Sequence, residues 1–281
     1  MSMIVVGASG YIGKRIMARL AGDPQVWATS TAPRPGAVVL NLGRPEDFDY
    51  SLIRENDLVV LAAAISSPDV CANQREFAYS VNVTGTGRFI ERCLERRARV
   101  LFFSSDTVYG AAEQRIDESA PMNPAGDYAR MKAEVERSFL GHARFKSFRL
   151  SYVFSREDKY TGYLAECART GRKAEVFHPF NRRVVHREDV VEAVIRMRER
   201  WPGIESPVVN LGGPELLSRR DLAALLKETA LPDLEYAVIE PAEDFFLNRP
   251  KTINMDSAFL PAVLGRPPRT IRQAAQIEFS V

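Results

Sequence analysis

Met3-Ile-Val-Val-Gly7-Ala-Ser-Gly10-Tyr-Ile-Gly13 opens the chain and decides how the rest is read. Four apolar residues in succession read as a short strand buried on both faces. Three glycines at GxxGxxG spacing follow at once, and Tyr11 to Leu20 then carries helical periodicity. Strand, glycine turn and helix in that order make a cradle for a diphosphate. The first glycine permits a tight turn, the second lets the backbone approach the phosphates, and the third lets the helix pack close to the sheet. The helix start adds free N–H groups and a partial positive charge. Gly7, Ser9, Gly10, Tyr11, Ile12 and Gly13 are therefore expected to line a dinucleotide site.

Outward from this turn, strand and helix patterns alternate. Strands are expected at Gln25 to Ser30, Ala37 to Leu42, Leu58 to Ala63, Arg99 to Ser104, Ser147 to Val153 and Val208 to Leu211. Helices are expected at Glu76 to Arg97, Tyr128 to Leu140, Tyr163 to Thr170, Arg187 to Glu199 and Ser218 to Thr229. Such alternation implies right-handed crossovers and a parallel sheet covered on both faces. The fold class is α/β, a Rossmann-type doubly wound parallel sheet with a smaller, mixed C-terminal substrate lobe. Residues 1–155, with parts of 184–213, are assigned to the nucleotide-binding domain. Residues 156–281 are assigned mainly to the discontinuous lobe, with Pro232 to Val281 covering the strand ends.

The end of the second strand bears on the choice of nicotinamide. An acidic residue there holds the ribose hydroxyls of NAD. Ala28-Thr-Ser-Thr-Ala-Pro-Arg34 has no carboxylate, and Ser30, Thr31 and Arg34 suit a 2′-phosphate. NADP(H) is favoured, with NAD(H) second. Asn41 and Leu42 at the third strand's end, and Ala62, Ala63 and Ala64 at the fourth's, complete the expected cofactor lining.

Tyr128-Ala-Arg-Met-Lys132 is a YxxxK element on an expected helix, so phenol and ammonium share one face. A free tyrosine ionises near pH ~10. A neighbouring ammonium is expected to lower that value, and the lysine also suits the nicotinamide ribose. The spacing alone is weakly specific. Its context strengthens it, because the fifth strand ends in Phe102-Phe-Ser-Ser-Asp-Thr-Val-Tyr-Gly110. Ser105 thus stands at the carboxyl end of a parallel strand, where open α/β sheets bind ligands.

With these motifs the chain resembles the extended short-chain dehydrogenases that act on nucleotide sugars, the NAD-dependent epimerase/dehydratase family. Gly7, Gly10 and Gly13 match the family's cofactor turn, and Ser105, Tyr128 and Lys132 match its catalytic triad, to which Tyr128 and Lys132 also bring cofactor contacts. Asn82, the Arg183-Val-Val-His186 segment with Asp189, Asn210-Leu-Gly-Gly213 and Leu264-Gly-Arg-Pro267 are similar to softer family signatures. Dehydratases of the family carry Thr-Asp-Glu after the fifth strand, whereas this chain has Ser105-Asp106-Thr107 and lacks the glutamate. Asp106 and Arg149-Leu-Ser-Tyr-Val-Phe154 look more like the 4-ketoreductases. The resemblance implies reduction of a 4-keto-6-deoxy nucleotide sugar, with an epimerase as the alternative and a non-catalytic binding protein ranked lower. A reductase of another small carbonyl compound is not separated from these by the motifs. It implies Asp106, Thr107, Tyr152 and Arg183 as substrate contacts, Arg182 or Arg249 as further phosphate partners, and a homodimer formed through the helices at 76–97 and 128–140.

Composition narrows the partners. With 281 residues the chain can bury a core without metals or disulfides, and its net charge of +2 gives no electrostatic case for nucleic acid or a membrane surface. Cys71, Cys93 and Cys167 form no CxxC pair, and His142, His178 and His186 have no metal-ligand spacing. No metal is expected. No basic leader with a long apolar core opens the sequence, and no apolar run approaches the ~20 residues of a membrane span. A reduced cytoplasmic protein is the expectation.

Overall fold

The computed structural model describes residues 1–280. Its central sheet has seven strands: β1 (Met3–Val6), β2 (Val26–Ser30), β3 (Ala37–Val39), β4 (Leu58–Leu61), β5 (Arg99–Ser105), β6 (Phe145–Leu150) and β7 (Val208–Leu211). Every pair is parallel, and the order is β7-β6-β5-β4-β1-β2-β3. Chain order therefore reverses between β1 and β4, and the ligand crevice of such a sheet opens outside the carboxyl ends at that reversal. All residues of β1, β4 and β7 are buried, which is why their sequences are unbroken apolar runs apart from Asn210.

Two cores sandwich the sheet. One packs Ile16 of the helix Tyr11–Arg19 with Val190, Val191, Val194 and Met197 of the helix Arg187–Arg200. The other packs Phe89, Ile90 and Cys93 of the helix Thr86–Glu95 with Val135 of the helix Asp127–Phe139. Each such fully buried side chain contributes about 1.5–3 kcal/mol. Leu260, Val263 and Leu264, from the stretch assigned to the lobe, are part of the first core, because the short helix Leu260–Leu264 packs on Arg187–Arg200.

The lobe has its own sheet, in the order Leu216–Ser218, Asn181–Arg183, Thr252–Met255, Ala112–Ile116. A second pair joins Ala174–Phe177 to Tyr236–Ile239. A third core gathers Leu164, Leu222, Leu226 and Ile271 from the helices Lys159–Thr170, Arg219–Thr229 and Ile271–Phe279. The strand Ala112–Ile116 had no pattern to announce it, since three of its five residues are exposed.

Several expected elements differ in detail. The sixth strand ends at Leu150 rather than Val153, and Val153–Phe154 instead pairs with Val185–His186. The third strand stops at Val39, after which Asn41 turns the chain by accepting the Gly43 N–H at 2.8 Å. The helix expected at 76–97 is composite: Arg75–Tyr79, a π-helical stretch Ser80–Gly85, then Thr86–Glu95. Its wide turn lies where Gly85 presses on the Leu42 carbonyl, and the Thr86 hydroxyl donates to the Val81 carbonyl at 2.8 Å. A Cβ on Gly85 would overlap the Leu42 oxygen. Gly85→Ala is expected to cost about 1–3 kcal/mol by overpacking, read as a lower urea midpoint. An unchanged midpoint would contradict this close approach.

Candidate functional site

Gly7 adopts φ +93°, and a Cβ there would lie 2.7 Å from the Ala63 nitrogen. A Cβ on Gly13 would overlap the Gly7 carbonyl oxygen, which also accepts the Gly10 N–H at 2.9 Å. The turn is thus closed on itself and against the end of β4. Gly10 caps the following helix without a side-chain acceptor, so the first-turn N–H groups stay available. A glycine-lined backbone with free donors at a sheet's switch point fits the diphosphate of a dinucleotide.

The other expected cofactor residues divide. Ser9 is exposed beside the turn, and Ala62, Ala63 and Ala64 follow β4 half-buried. Arg34 is exposed and its guanidinium has no hydrogen bond or ion pair among the described residues. Ile12 packs into the core, as does the Leu42 side chain. Tyr11 turns away from the glycine turn. Its hydroxyl donates to Ser155 Oγ at 2.6 Å, and Arg187 lies 5.1 Å from its ring centre. That tie fastens the helix to the segment after β6.

Lys132 is buried and its Nζ donates to the Phe103 carbonyl at 2.7 Å. This bond pins the helix Asp127–Phe139 to β5 two residues before Ser105. The ammonium also lies 4.4 Å from the Phe102 ring centre and 5.9 Å from that of Tyr128. Burial draws its pKa down to about 8, with Glu136 opposing. Tyr128 does not carry the lowered pKa expected of it. Burial pushes the phenol up, and Cys71 and Asp106 push the same way. The reason is that the desolvation of the phenol itself outweighs an ammonium 5.9 Å from its ring centre. Ser105 stands at the end of β5, where its Oγ accepts from the Thr107 hydroxyl at 2.9 Å and the Thr107 N–H at 3.2 Å, and donates to Asp106 at 3.2 Å.

Behind these residues runs a buried network whose members Arg149 and Asn210 lie in quoted motifs but which no sequence pattern connected. Glu136, one turn beyond Lys132 and fully buried, accepts from Arg149 Nη2 at 2.5 Å and from Ser147 at 3.0 Å. Arg149 donates to the Tyr109 hydroxyl at 2.7 Å, and Tyr109 donates to Asn210 at 2.9 Å. The network joins the triad's helix to β6, β7 and the turn after β5. The sequence signal was available: Tyr128, Lys132 and Glu136 recur every four residues on one helix face. Asn82 also has a structural task, holding Ile65 after β4 by both its backbone groups at 2.9 Å.

The residues expected to contact substrate are differently placed. Thr107 is half-buried next to Ser105. Asp106 is buried, its carboxylate 3.4 Å from Arg182 Nε and 3.0 Å from Ser151 Oγ. Burial nevertheless raises its pKa against the pull of Arg182. Tyr152 donates to Asp158 and is packed beside the lobe core, so its hydroxyl is taken by the protein. Arg183 donates to Asn254 at 2.9 Å and to the Pro214 carbonyl at 2.7 Å. His186 is buried against Glu278 at 2.9 Å, and Asp189 binds Arg266 and Arg269, so these signature residues tie the C-terminal stretch to the sheet.

Residues 3–212 match the model of the NAD dependent epimerase/dehydratase family. The chain is a member of that family. Among curated relatives it is 29% identical over 146 residues to dTDP-4-dehydrorhamnose reductase of Mycobacterium tuberculosis, covering 49% of this chain and 45% of that one. It is 30% identical over 155 residues to dTDP-glucose 4,6-dehydratase of the same organism, covering 48% of this chain and 47% of that one. The alignments thus span about half of each relative. Among solved structures the family fold recurs in MoeE5 in complex with UDP-glucose and NAD, with a TM-score of 0.79 at 22% identity over 99% of this chain and 97% of that one. It recurs also in a hypothetical dTDP-4-dehydrorhamnose reductase from Sulfolobus tokodaii, with a TM-score of 0.81 at 21% identity over 95% and 96% of the two chains. Among the described residues, no helix is long and apolar enough to cross a membrane, and no cluster of ligating side chains could hold a metal.

The buried network is testable by stability. Arg149→Met leaves Glu136 charged and unpaired, at a cost of about 3–5 kcal/mol. The double variant Glu136→Leu/Arg149→Met is expected to recover most of it in denaturant titrations. Equal losses in single and double variants would contradict the pairing.

Proposed function

We propose that this chain reduces the keto group of a nucleotide-linked 4-keto-6-deoxy sugar, with NADPH favoured over NADH. The observation that carries this reading is the Lys132 to Phe103 bond, which ties the Tyr128–Lys132 helix to the strand bearing Ser105, with only β4 between that strand and the one that enters the glycine turn. A nicotinamide dinucleotide, when bound, supplies the hydride. The residues in place to hold it are Gly7, Gly10 and Gly13 at the phosphates and Lys132 at the ribose. Arg34 and Ser30, with no acidic residue on that turn, support the preference for a 2′-phosphate.

The chain's own residues act on the carbonyl oxygen. Burial keeps Tyr128 protonated, so it enters the reaction as an acid and delivers its proton as charge develops on that oxygen. Ser105 already has its oxygen fixed by two donors from Thr107, which leaves its proton to aim, and a substrate oxygen would take that proton in place of Asp106. The positive charge of Lys132 steadies the phenolate left behind. Water elimination is not part of the reading, because Thr107 stands where a dehydratase needs a glutamate acid. With Asp106 and Tyr152 engaged by the protein, Thr107 is the nearer candidate for a sugar hydroxyl.

Tyr128→Phe is expected to lower kcat by about 10²–10⁴-fold while NADPH still binds. Turnover at the parent rate would refute the assignment. The role of Lys132 needs its charge, which is lost as pH rises through about 8. The rate is therefore expected to fall above pH about 8. The fall is not unfolding: the folded pKa lies below the unfolded one of ~10.4, so this group's share of stability rises across that window. A rate level up to pH ~10 would contradict a charged Lys132.

A further inference from the structure

Residues 241–250 leave the lobe and return to it. One end is pinned where the His178 N–H donates to the Ile239 carbonyl at 3.0 Å, the other where the Asn181 N–H donates to the Lys251 carbonyl at 2.8 Å. Between these ends the segment is tied to itself. The Phe245 N–H donates to Ala242 at 3.0 Å, and the N–H groups of Leu247 and Arg249 donate to Asp244 and Phe246 at 3.2 Å. On the lobe side the Phe245 ring meets Phe177 and Phe180 edge-on, at 5.1 and 5.7 Å between centres.

The other side of the segment reaches the nucleotide-binding body at two footholds. Asn248 stands over Gly126, where a Cβ would lie 3.2 Å from the Asn248 Cα. Arg249 Nη2 donates to Asp69 at 2.6 Å, in the first turn of the helix Pro68–Asn73. The footholds bracket Tyr128. Gly126 precedes it by two residues, and Cys71, two residues beyond Asp69, shares an apolar cluster with the Tyr128 ring. The segment is thus a strap that runs from the lobe to both flanks of the phenol.

The two sides are fastened unequally. Packed rings hold the strap to the lobe. On the body side the Asp69 side chain is 61% exposed, and an ion pair so placed is weak and screened by salt. Leu247, at the crest, is 74% exposed, so apolar burial does not fasten that side either. Gly126 has a φ of +83° and no side chain to hold the strap off the start of the Tyr128 helix.

We propose that residues 241–250 are a gate over Tyr128, hinged on the lobe and latched to the body by Asp69 with Arg249. The gate opens to admit the carbonyl compound and closes over it, which keeps water from the proton transfer. The inference takes from the reading above that Tyr128 is the acid, and adds what controls access to it.

The test places a thiol under the strap with Ser105→Cys, at the end of β5. The three native cysteines are buried. Labelling by a bulky maleimide is compared with labelling by iodoacetamide, in Ser105→Cys alone and with Asp69→Asn or Asp69→Glu added. At low salt Asp69→Asn is expected to speed the maleimide relative to iodoacetamide by about two- to fivefold. Asp69→Glu should stay near the Ser105→Cys rate, and about 1 M NaCl should raise that rate to the Asp69→Asn level. Hydrogen exchange at the amides of Phe245, Leu247 and Arg249 should quicken with Asp69→Asn by the same factor, while the helix Asp127–Phe139 keeps its protection. Equal labelling with and without Asp69→Asn would overturn the proposal, even if the strap amides exchange faster, because the strap would then open without uncovering the site. Faster exchange of strap and helix together would make Asp69 a structural residue and overturn it as well. Labelling is read without turnover, so a chain that passes this test and reduces no ketosugar fails the reductase reading alone.

Discussion

Gly7, just past β1, passes so close to Ala63, just past β4, that no side chain fits between them. The nitrogen of Ala63 would lie 2.7 Å from a Cβ on Gly7, and Gly13 in turn leans on the Gly7 carbonyl. This one backbone contact sits where the strand order reverses, so it shapes the crevice from which the rest follows. Only a residue without a side chain satisfies both the positive φ and the space. The helix Tyr11–Arg19 then starts in a fixed direction with its donors uncapped, and Tyr11 fastens it to Ser155 on the far side.

A second constraint sets the helix that carries Tyr128 and Lys132 against β5. Lys132 is buried at an energetic cost that shows in its lowered pKa, and the Phe103 carbonyl is what makes the position tolerable. One hydrogen bond thereby fixes helix to strand, and Ser105 to the Tyr128 helix. The Glu136–Arg149–Tyr109–Asn210 chain extends the same clamp through β6 and β7. Tyr128 is left as a protonated acid, which suits the direction of carbonyl reduction better than that of alcohol oxidation.

The central sheet and the glycine turn were legible because their signals are local. Apolar runs mark β1 and β4, and glycine spacing marks the turn. Tyr128, Lys132 and Ser105 are candidates on the same kind of local signal, a short motif on one helix and a hydroxyl at a strand end. What stayed hidden depends on distant partners. Nothing near Asp106 in sequence shows Arg182, and Asp158, though only six residues beyond Tyr152, meets its hydroxyl because the chain folds back there, which no periodic pattern reports. The strand Ala112–Ile116 is polar and exposed, so it lacks a period, and the π-helical stretch at Ser80–Gly85 comes from packing against Leu42. The lowered phenol pKa expected of Tyr128 failed on burial, a quantity that i,i+4 spacing does not report.

The most direct measurement is cofactor binding by the purified protein, titrating NADPH and NADH separately and analysing any nucleotide released on denaturation. An exchangeable hydride donor at the glycine turn predicts an empty site as purified and tighter binding of NADPH than of NADH. Tightly held NAD released on denaturation would contradict the reductase and point to an epimerase that keeps its cofactor. Binding of neither nucleotide would contradict the oxidoreductase reading itself.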